Sequence, residues 1–497
     1  IIEGVLRVKG AQSDTVTFMS NGQVPASGDW YGIVSTGSTG KVLMDYASIN
    51  HYTNGIRIKS GASDYIDYNN DDTVSVAHTK FYGGGSAVYS SGESSYRPVI
   101  FTDNKLYECG VFDRSRNSYK VYEDNRIVSK VSYQTLDIGY TRTGSSSTTS
   151  STATLKINSN TFDQGRIVVY NVYLYDGDGT NTHDVQVKDN YLDRGSLGLE
   201  LTYLRNYTSD YKRFTVDVSG NTVIGDKTEL YDGTGIYSYI SNSGVKFNLE
   251  SNIIRVLGSG INIESSQSSY AVIKSNAIDS IYYDGISLSK VSGRIESNTL
   301  TKCGAYNYFG IDINSDFNYP AIDTLQYNTI TGNGYWQSPS NTSTSGGFGG
   351  IRLQGYTQAK INYNNLYDNG AYEVVNMVAA SSVTEQDAKF NYWGTYNNSQ
   401  IALGANPKNL FKIYDKYDNS SLGFVNYGQN QSNVLFDELP DTVYYGGDSV
   451  RIASSSNKYG DWSTGETNTN HVDLTGYEGE LIFTYTLGSD VLKDTVQ

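Results

Sequence analysis

The chain has 497 residues, a formal net charge of −15, 45 Tyr and 51 Gly, with six Pro and three Met. That length exceeds one ordinary compact core, so it implies several domains or an elongated repeat protein, and the Tyr-, Gly- and Ser-rich composition favours strands and turns over helices. The acidic balance repels nucleic acid and anionic membrane surfaces, and no apolar run reaches the roughly 18 residues needed to cross a bilayer, so neither partner is expected.

The opening IIEGVLRVKG lacks the regions of a secretion leader and begins in a strand-like alternation, which implies a processed or trimmed start. Beyond it an Asn-x-apolar phrase recurs, at Asn104, Asn125, Asn160, Asn190, Asn221, Asn252, Asn276, Asn298, Asn328, Asn364 and Asn391. A Gly-Ile phrase runs beside it, first at Gly55-Ile56, then at Gly235, Gly260, Gly285 and Gly310 in steps of 25 residues, and at Gly350 after a further 40. Two interleaved phrases at such intervals are the signature of a solenoid. After each Gly-Ile the apolar residues alternate (Ile261, Ile263; Ile286, Leu288; Ile311, Ile313; Ile351, Leu353), so each unit contains a short strand with one buried face. One unit cannot bury that face alone; stacking at the strand spacing of about 4.8 Å builds a continuous apolar column. Asn at a bend is expected to accept left-handed backbone angles and to exchange amide hydrogen bonds with the Asn one coil away, and Gly to admit a tight turn before the strand. Cys109 and Cys303 sit in the similar phrases LYECG and LTKCG, which predicts matching positions in distant coils, beyond disulfide reach.

These phrases resemble the right-handed parallel β-helix of the pectate-lyase type, a fold of secreted, carbohydrate-associated proteins. FNYWGT at 390–395 is similar to a phrase that follows the last coils of that family, and VLRVKGAQSDTVTFMS, GDWYGIV and GKVLMDYASINHYTNGIRI look like the early coils of large bacterial surface proteins. The expected fold is all-β, with a right-handed parallel β-helix solenoid over 1–434. Residues 435–497 lose both phrases; Asp448-Ser449-Val450 and the run Trp462 to Thr467 resemble an Ig-like β-sandwich module found in type IX-exported proteins, with GELIFTYT departing from the family's late strand. The resemblance implies a secreted or cell-surface location and other modules, or copies, of a longer surface protein as partners.

Catalytic phrases are not ordered as that fold's hydrolases order them. Arg57-Ile58-Lys59 precedes Asp71-Asp72, and neither N-T-D nor G-H-G occurs. Arg57 and Lys59 read instead as outward residues of an alternating strand. His51, His78, His183 and His471 are scattered outside the repeated phrases. The turn YDGDGTNTHD offers Asp176, Asp178, Asn181 and Asp184 as oxygen ligands for Ca²⁺, but the closing Glu of a calcium loop is missing and an ordinary acidic turn is the preferred reading. No other cofactor is implied.

Stacking places the residues between the buried ones on one outward stripe: Asn262, Glu264, Ser287, Ser289, Asp312, Asn314, Arg352 and Gln354. The long 310–350 interval adds GNGYWQSPSNTSTSGGFGG, with Tyr335, Trp336 and Phe348. Aromatic faces beside hydrogen-bonding groups suit a sugar ring. The expectation is a non-catalytic structural or adhesive segment that binds a glycan through Asn262, Glu264, Asp312, Asn314, Tyr335, Trp336, Arg352 and Gln354. The alternative is a polysaccharide lyase or glycoside hydrolase using Glu264, Asp312 and Arg352. A merely solvated polar face accounts for the same residues.

Overall fold

The computed structural model describes residues 1–36, 40–59, 73–91, 98–115, 119–129, 134–139, 152–174, 182–193, 198–206, 213–226, 233–241, 245–305, 307–334, 347–405, 407–432, 450–453, 460–469, 471–474, 481–487 and 490–496. Up to Glu385–Asp387 the chain winds through three parallel strand faces in a fixed order. A long-strand sheet (Val5–Lys9, Lys41–Asp45 and their successors) leads through the Asn turn into a sheet of 13 short strands (Val16–Phe18 through Asn365–Tyr367). That sheet leads into the Gly-Ile sheet, from Ile33–Ser35 to Ile413–Tyr414, and then back to the first. Strands Ser259–Lys274 and Ile286–Glu296 pass through the last corner without interruption, joining the long-strand and Gly-Ile sheets. This is a parallel β-helix, as the repeats predict.

Residues one coil apart are strand partners. Ile236, Ile261, Ile286, Ile311, Ile351 and Val374 stand in register on consecutive rungs, all fully buried. The long-strand sheet contributes the inward column Val76, Phe101, Tyr122, Ile157 and Val187, continuing to Ile361. Each such side chain removed from water contributes about 1.5–3 kcal/mol, and no single coil has a second layer to bury it against.

The Asn phrases form one column of buried amides. Asn252 Nδ2 donates to Asn276 Oδ1 at 2.9 Å and to the Val218 carbonyl at 2.8 Å, while its own Oδ1 accepts from the backbone N–H and Nδ2 of Asn221 at 3.1 and 3.0 Å. The pattern runs from Asn104 to Asn391, and the coil before it places Thr79 there, whose N–H donates to Asn104 Oδ1. The expected left-handed angle falls on the preceding residue instead: Asp103, Asp124, Ser159, Asp189, Ser251, Ser275 and Ser297 all have φ between 53° and 57°. That leaves each Asn in ordinary geometry with its amide aimed along the column. The Gly-Ile glycines also differ from expectation. None has positive φ; a Cβ on Gly260 would lie 2.1 Å from the Gly285 carbonyl oxygen, so close approach of adjacent rungs, not a turn, requires glycine there.

Cys109 and Cys303 are free and buried, each five residues beyond a ladder Asn (109 − 104; 303 − 298). At the same offset from Asn328 and Asn364, Asn333 and Asn369 form a second, shorter ladder: Cys303 N–H donates to Asn333 Oδ1, and Asn333 Nδ2 to Asn369 Oδ1. After Asn391 the chain leaves the coil pattern. Trp393, then Ile401 on the helix Gly394–Ala402 and Leu410, all buried, join the core at the end of the solenoid.

Nearer the start, Lys120 is fully buried, with Nζ 3.1 Å from Asp113 Oδ2 and donating to the Asp113 and Gly139 carbonyls. Tyr122 Oη and Ser115 complete the Asp113 carboxylate's partners, so burial, which pushes the Lys120 pKa down, is opposed by a satisfied ion pair.

The tail forms two small antiparallel sheets, Val450–Ala453 with His471–Leu474, and Gly460–Trp462 with Leu481–Leu487 and Asp490–Val496. Trp462 is buried there with its ring centre 4.4 Å from that of Phe483.

Two substitutions test this account. Asn252→Ala removes the acceptor of two Asn221 donors and orphans the Val218 carbonyl, and is expected to lower stability by about 2–4 kcal/mol in urea denaturation. Lys120→Met strands the Asp113 charge in the core and is expected to cost about 3–5 kcal/mol by the same measurement.

Candidate functional site

The Gly-Ile sheet turns its alternate residues outward, and strand register makes them a continuous surface. Glu200, Tyr237, Asn262, Ser287, Asp312 and Arg352 stand on successive rungs, with Thr202, Tyr239, Glu264, Ser289, Asn314 and Gln354 in a parallel column beside them. The structure therefore aligns all eight residues expected on the stripe, and with them six of the eight expected to bind a glycan: Asn262, Glu264, Asp312, Asn314, Arg352 and Gln354. Tyr335 and Trp336 lie outside the described residues. So do Asp176, Asp178 and Asn181. Asp184 is half-buried and accepts a hydrogen bond from Gln186 Nε2 at 2.7 Å.

At one end of the stripe Arg352 donates from Nε to Asp312 Oδ1 and from Nη2 to Oδ2, both at 2.8 Å, and Gln354 Nε2 reaches the same carboxylate at 3.0 Å. The guanidinium carbon lies 4.6 Å from the Phe309 ring centre. Glu264 and Asp312 occupy neighbouring columns two rungs apart, and Asp312 is committed to Arg352, so they do not form a facing carboxylate pair. The carboxyl beside Asp312 is Asp284, whose Oδ1 accepts the Phe309 N–H at 2.7 Å. Burial, and then the Asp312 charge, push its pKa up to about 7. Tyr283 and Tyr308, with ring centres 4.9 Å apart, border this cluster. The opposite margin carries exposed Phe317 against Tyr356, 5.5 Å between centres. Described Phe348 lies further along the solenoid, lining a cavity of about 650 Å³ with Tyr372 and Phe411.

Toward the N-terminal coils the same face opens into a cleft of about 440 Å³ that the sequence analysis did not single out. Its walls are Tyr170, Tyr203, Tyr237 and Tyr239, and its charges Arg114, Asp137, Arg166 and Glu200. Arg114 makes a two-pronged contact with Asp137, at 3.1 and 2.7 Å, and lies over the rings of Phe112 and Tyr170, 4.7 and 4.5 Å from their centres. Arg166 stands 3.8 Å from Glu200. Tyr203 has φ of 55°, at the point where the register against the next strand shifts between Thr202 and Leu204. A left-handed angle on a bulky residue is strained, and here the bulge presents the Tyr203 ring edge-to-face between Tyr170 and Tyr239. Tyr237 and Tyr239 stand on the Gly235-Ile236 coil, but the other coils that build this cleft lack the Gly-Ile phrase. Their equivalent positions, Val111, Leu136, Ile167 and Leu199, are in register with Ile236, and only Gly110-Val111 and Gly198-Leu199 retain a glycine-apolar signal.

Among the described residues no group of His, Cys, Asp and Glu is arranged to hold a metal ion. The chemistry this face offers is hydrogen bonding from fixed strand positions, ring stacking, and one carboxyl that gains or loses its proton near neutrality.

Asp284 and Glu373 both have pKa values raised to about 7, from ordinary values of 3.8 and 4.5, with burial the leading cause in each. A carboxyl that holds its proton more tightly when folded stabilises the fold at low pH, and that contribution fades as pH rises from the unfolded value through the folded one. Thermal unfolding is therefore expected to show a Tm that falls between about pH 4 and 7 on account of these two groups, and the double variant Asp284→Asn, Glu373→Gln is expected to flatten that fall. Compared with known families, curated proteins and solved structures, the chain finds no match.

Proposed function

We propose that this chain is an elongated extracellular segment, a stalk or adhesin of a secreted or cell-surface protein, that binds carbohydrate along the outward face of its Gly-Ile sheet without turning it over. The observation that carries this reading is the cleft around Tyr170, Tyr203 and Tyr239, continuous by strand register with the Asp312–Arg352 stripe. Tyrosine rings supply apolar faces for sugar C–H groups, and the neighbouring amides, hydroxyls and paired charges supply donors and acceptors for the hydroxyl belt. These groups sit on strands of a stiff solenoid, so little ordering opposes binding. The parallel β-helix supports the wider resemblance to pectate-lyase-type solenoids. The resemblance of the tail to an Ig-like module of the type IX-exported kind draws support only from its antiparallel strand pairs and from buried Trp462 on one of them.

One observation favours a catalytic reading: Asp284 holds a proton near neutrality beside the ionic Asp312–Arg352 pair, the division of labour between two carboxyls that glycoside hydrolysis uses. Incubation with a panel of extracellular polysaccharides, followed for new reducing ends and newly unsaturated sugar ends, separates the two. Binding without turnover is expected, weakened about fivefold or more by Tyr239→Ala. Turnover abolished by Asp284→Asn or Asp312→Ala would establish the enzyme instead.

A further inference from the structure

We infer that the ligand of this face is an uncharged oligosaccharide chain lying along the solenoid axis, spanning from the tyrosine cleft to the Asp312–Arg352 cluster. The inference rests on the glycan-binding reading above and adds the charge, length and direction of the glycan.

Charge is set by the pairing of the cations. Of the arginines in the cleft and the stripe, Arg114 is bound to Asp137, Arg352 is bound to Asp312, and Arg166 faces Glu200. Glu264 adds a further carboxylate to the same surface without a matching arginine. A uronic acid or sulfated sugar would either meet this acidic excess or have to displace a carboxylate from a two-pronged guanidinium contact, leaving that carboxylate unpaired. An uncharged sugar needs neither, and the paired groups still offer it acceptor lone pairs and spare N–H donors.

Length and direction follow from topography. From Glu200 to Asp312 the register passes through Tyr237, Asn262 and Ser287, four rung steps, which span roughly 19 Å at the usual strand spacing. Large side chains stand at both ends, Tyr237 and Tyr239 at one, Arg352 and Gln354 at the other. Between them Ser287 and Ser289 are the smallest outward residues, so the face dips into a trough floored by hydroxyls and flanked by Asn262 and Asn314. One sugar cannot reach both ends, whereas a chain laid along the axis meets a fresh set of donors and acceptors at each rung.

The test is titration calorimetry of the whole chain against neutral gluco-, manno- and xylo-oligosaccharides from disaccharide to octasaccharide, with oligogalacturonides of matched length as the charged arm. At least one neutral series is expected to bind, with affinity rising about tenfold or more from disaccharide to hexasaccharide. Ser287→Trp or Ser289→Trp, which fill the trough, are expected to remove that gain, so that hexasaccharide binds no more tightly than disaccharide, while leaving thermal unfolding unchanged. Tighter binding of the galacturonides, affinity independent of length, or hexasaccharide binding unaffected by either tryptophan overturns the inference while leaving the glycan-binding reading standing. No binding of any sugar by chain with wild-type unfolding overturns both.

Discussion

Everything in this molecule depends on successive coils stacking without slippage, and the buried asparagine column is the interaction that enforces it. A strand pair slipped by one residue would turn an entire apolar set outward, so register matters more here than in an isolated sheet. The corner between the long-strand and short-strand sheets is where register would drift, because there the backbone leaves the ladder and its polar groups lose their partners. Asn resolves this because its amide donates and accepts at once, so a column of identical residues satisfies itself rung after rung. Asp in the same column would stack like charges, and Ser would not span the gap to both the next side chain and the carbonyl of the preceding coil. The left-handed residue before each Asn turns the backbone so that the amide points along the axis; ten of the eleven ladder positions follow an Asp, Ser or aromatic residue that takes this angle, and Asn221 follows Gly220.

Stacking constrains the two faces of each strand very differently. The inward residues must be apolar and of compatible volume on every rung, which leaves the outward residues as the place where sequence is free to vary. Their interactions run between rungs: Lys188 with Asp217, Asn248 with Asp217, Asn158 with Glu123, Arg352 with Asp312. Exposed pairs of this sort contribute little stability each. The two arginine contacts on the Gly-Ile face differ, because each guanidinium is also held over an aromatic ring, which fixes its orientation. Fixed polar groups on a stiff support are what recognition of a hydroxylated ligand requires.

The solenoid and the 262–354 stripe were legible in the sequence because both arise from side chains that repeat at nearly constant intervals. The second ladder was equally legible in principle, since Asn333 and Asn369 keep the five-residue offset of Cys109 and Cys303, but a phrase of one residue is invisible until its register is known. The tyrosine cleft was not legible. Apart from the coil at Gly235-Ile236, its coils begin with Val111, Leu136, Ile167 and Leu199 without a shared dipeptide, and the intervals between ladder residues there are irregular, 35 from Asn125 to Asn160 and 30 to Asn190. The bulge at Tyr203 has no sequence signature at all. The role of the Gly-Ile glycines was misjudged for a physical reason: contact between a Cβ position and the carbonyl of the next coil is a tertiary constraint that local turn chemistry does not reveal.

The same geometry bears on why binding is favoured over catalysis. Hydrolysis of a glycosidic bond needs one carboxyl that can deliver a proton and a second that is free to act as base or nucleophile. Asp284 has the first property. Asp312 lacks the second, because both of its oxygens are occupied by Arg352 and one geometry serves Gln354 as well. Elimination from a uronate instead needs a cation to neutralise the sugar carboxylate, and Arg114, Arg166 and Arg352, the arginines of the cleft and the Asp312 cluster, already face carboxylates. Both routes would require the Arg352–Asp312 contact to open when substrate arrives. Under the proposed reading, arginines already paired with carboxylates suit the cleft and the Asp312 cluster to an uncharged ligand better than to a uronate.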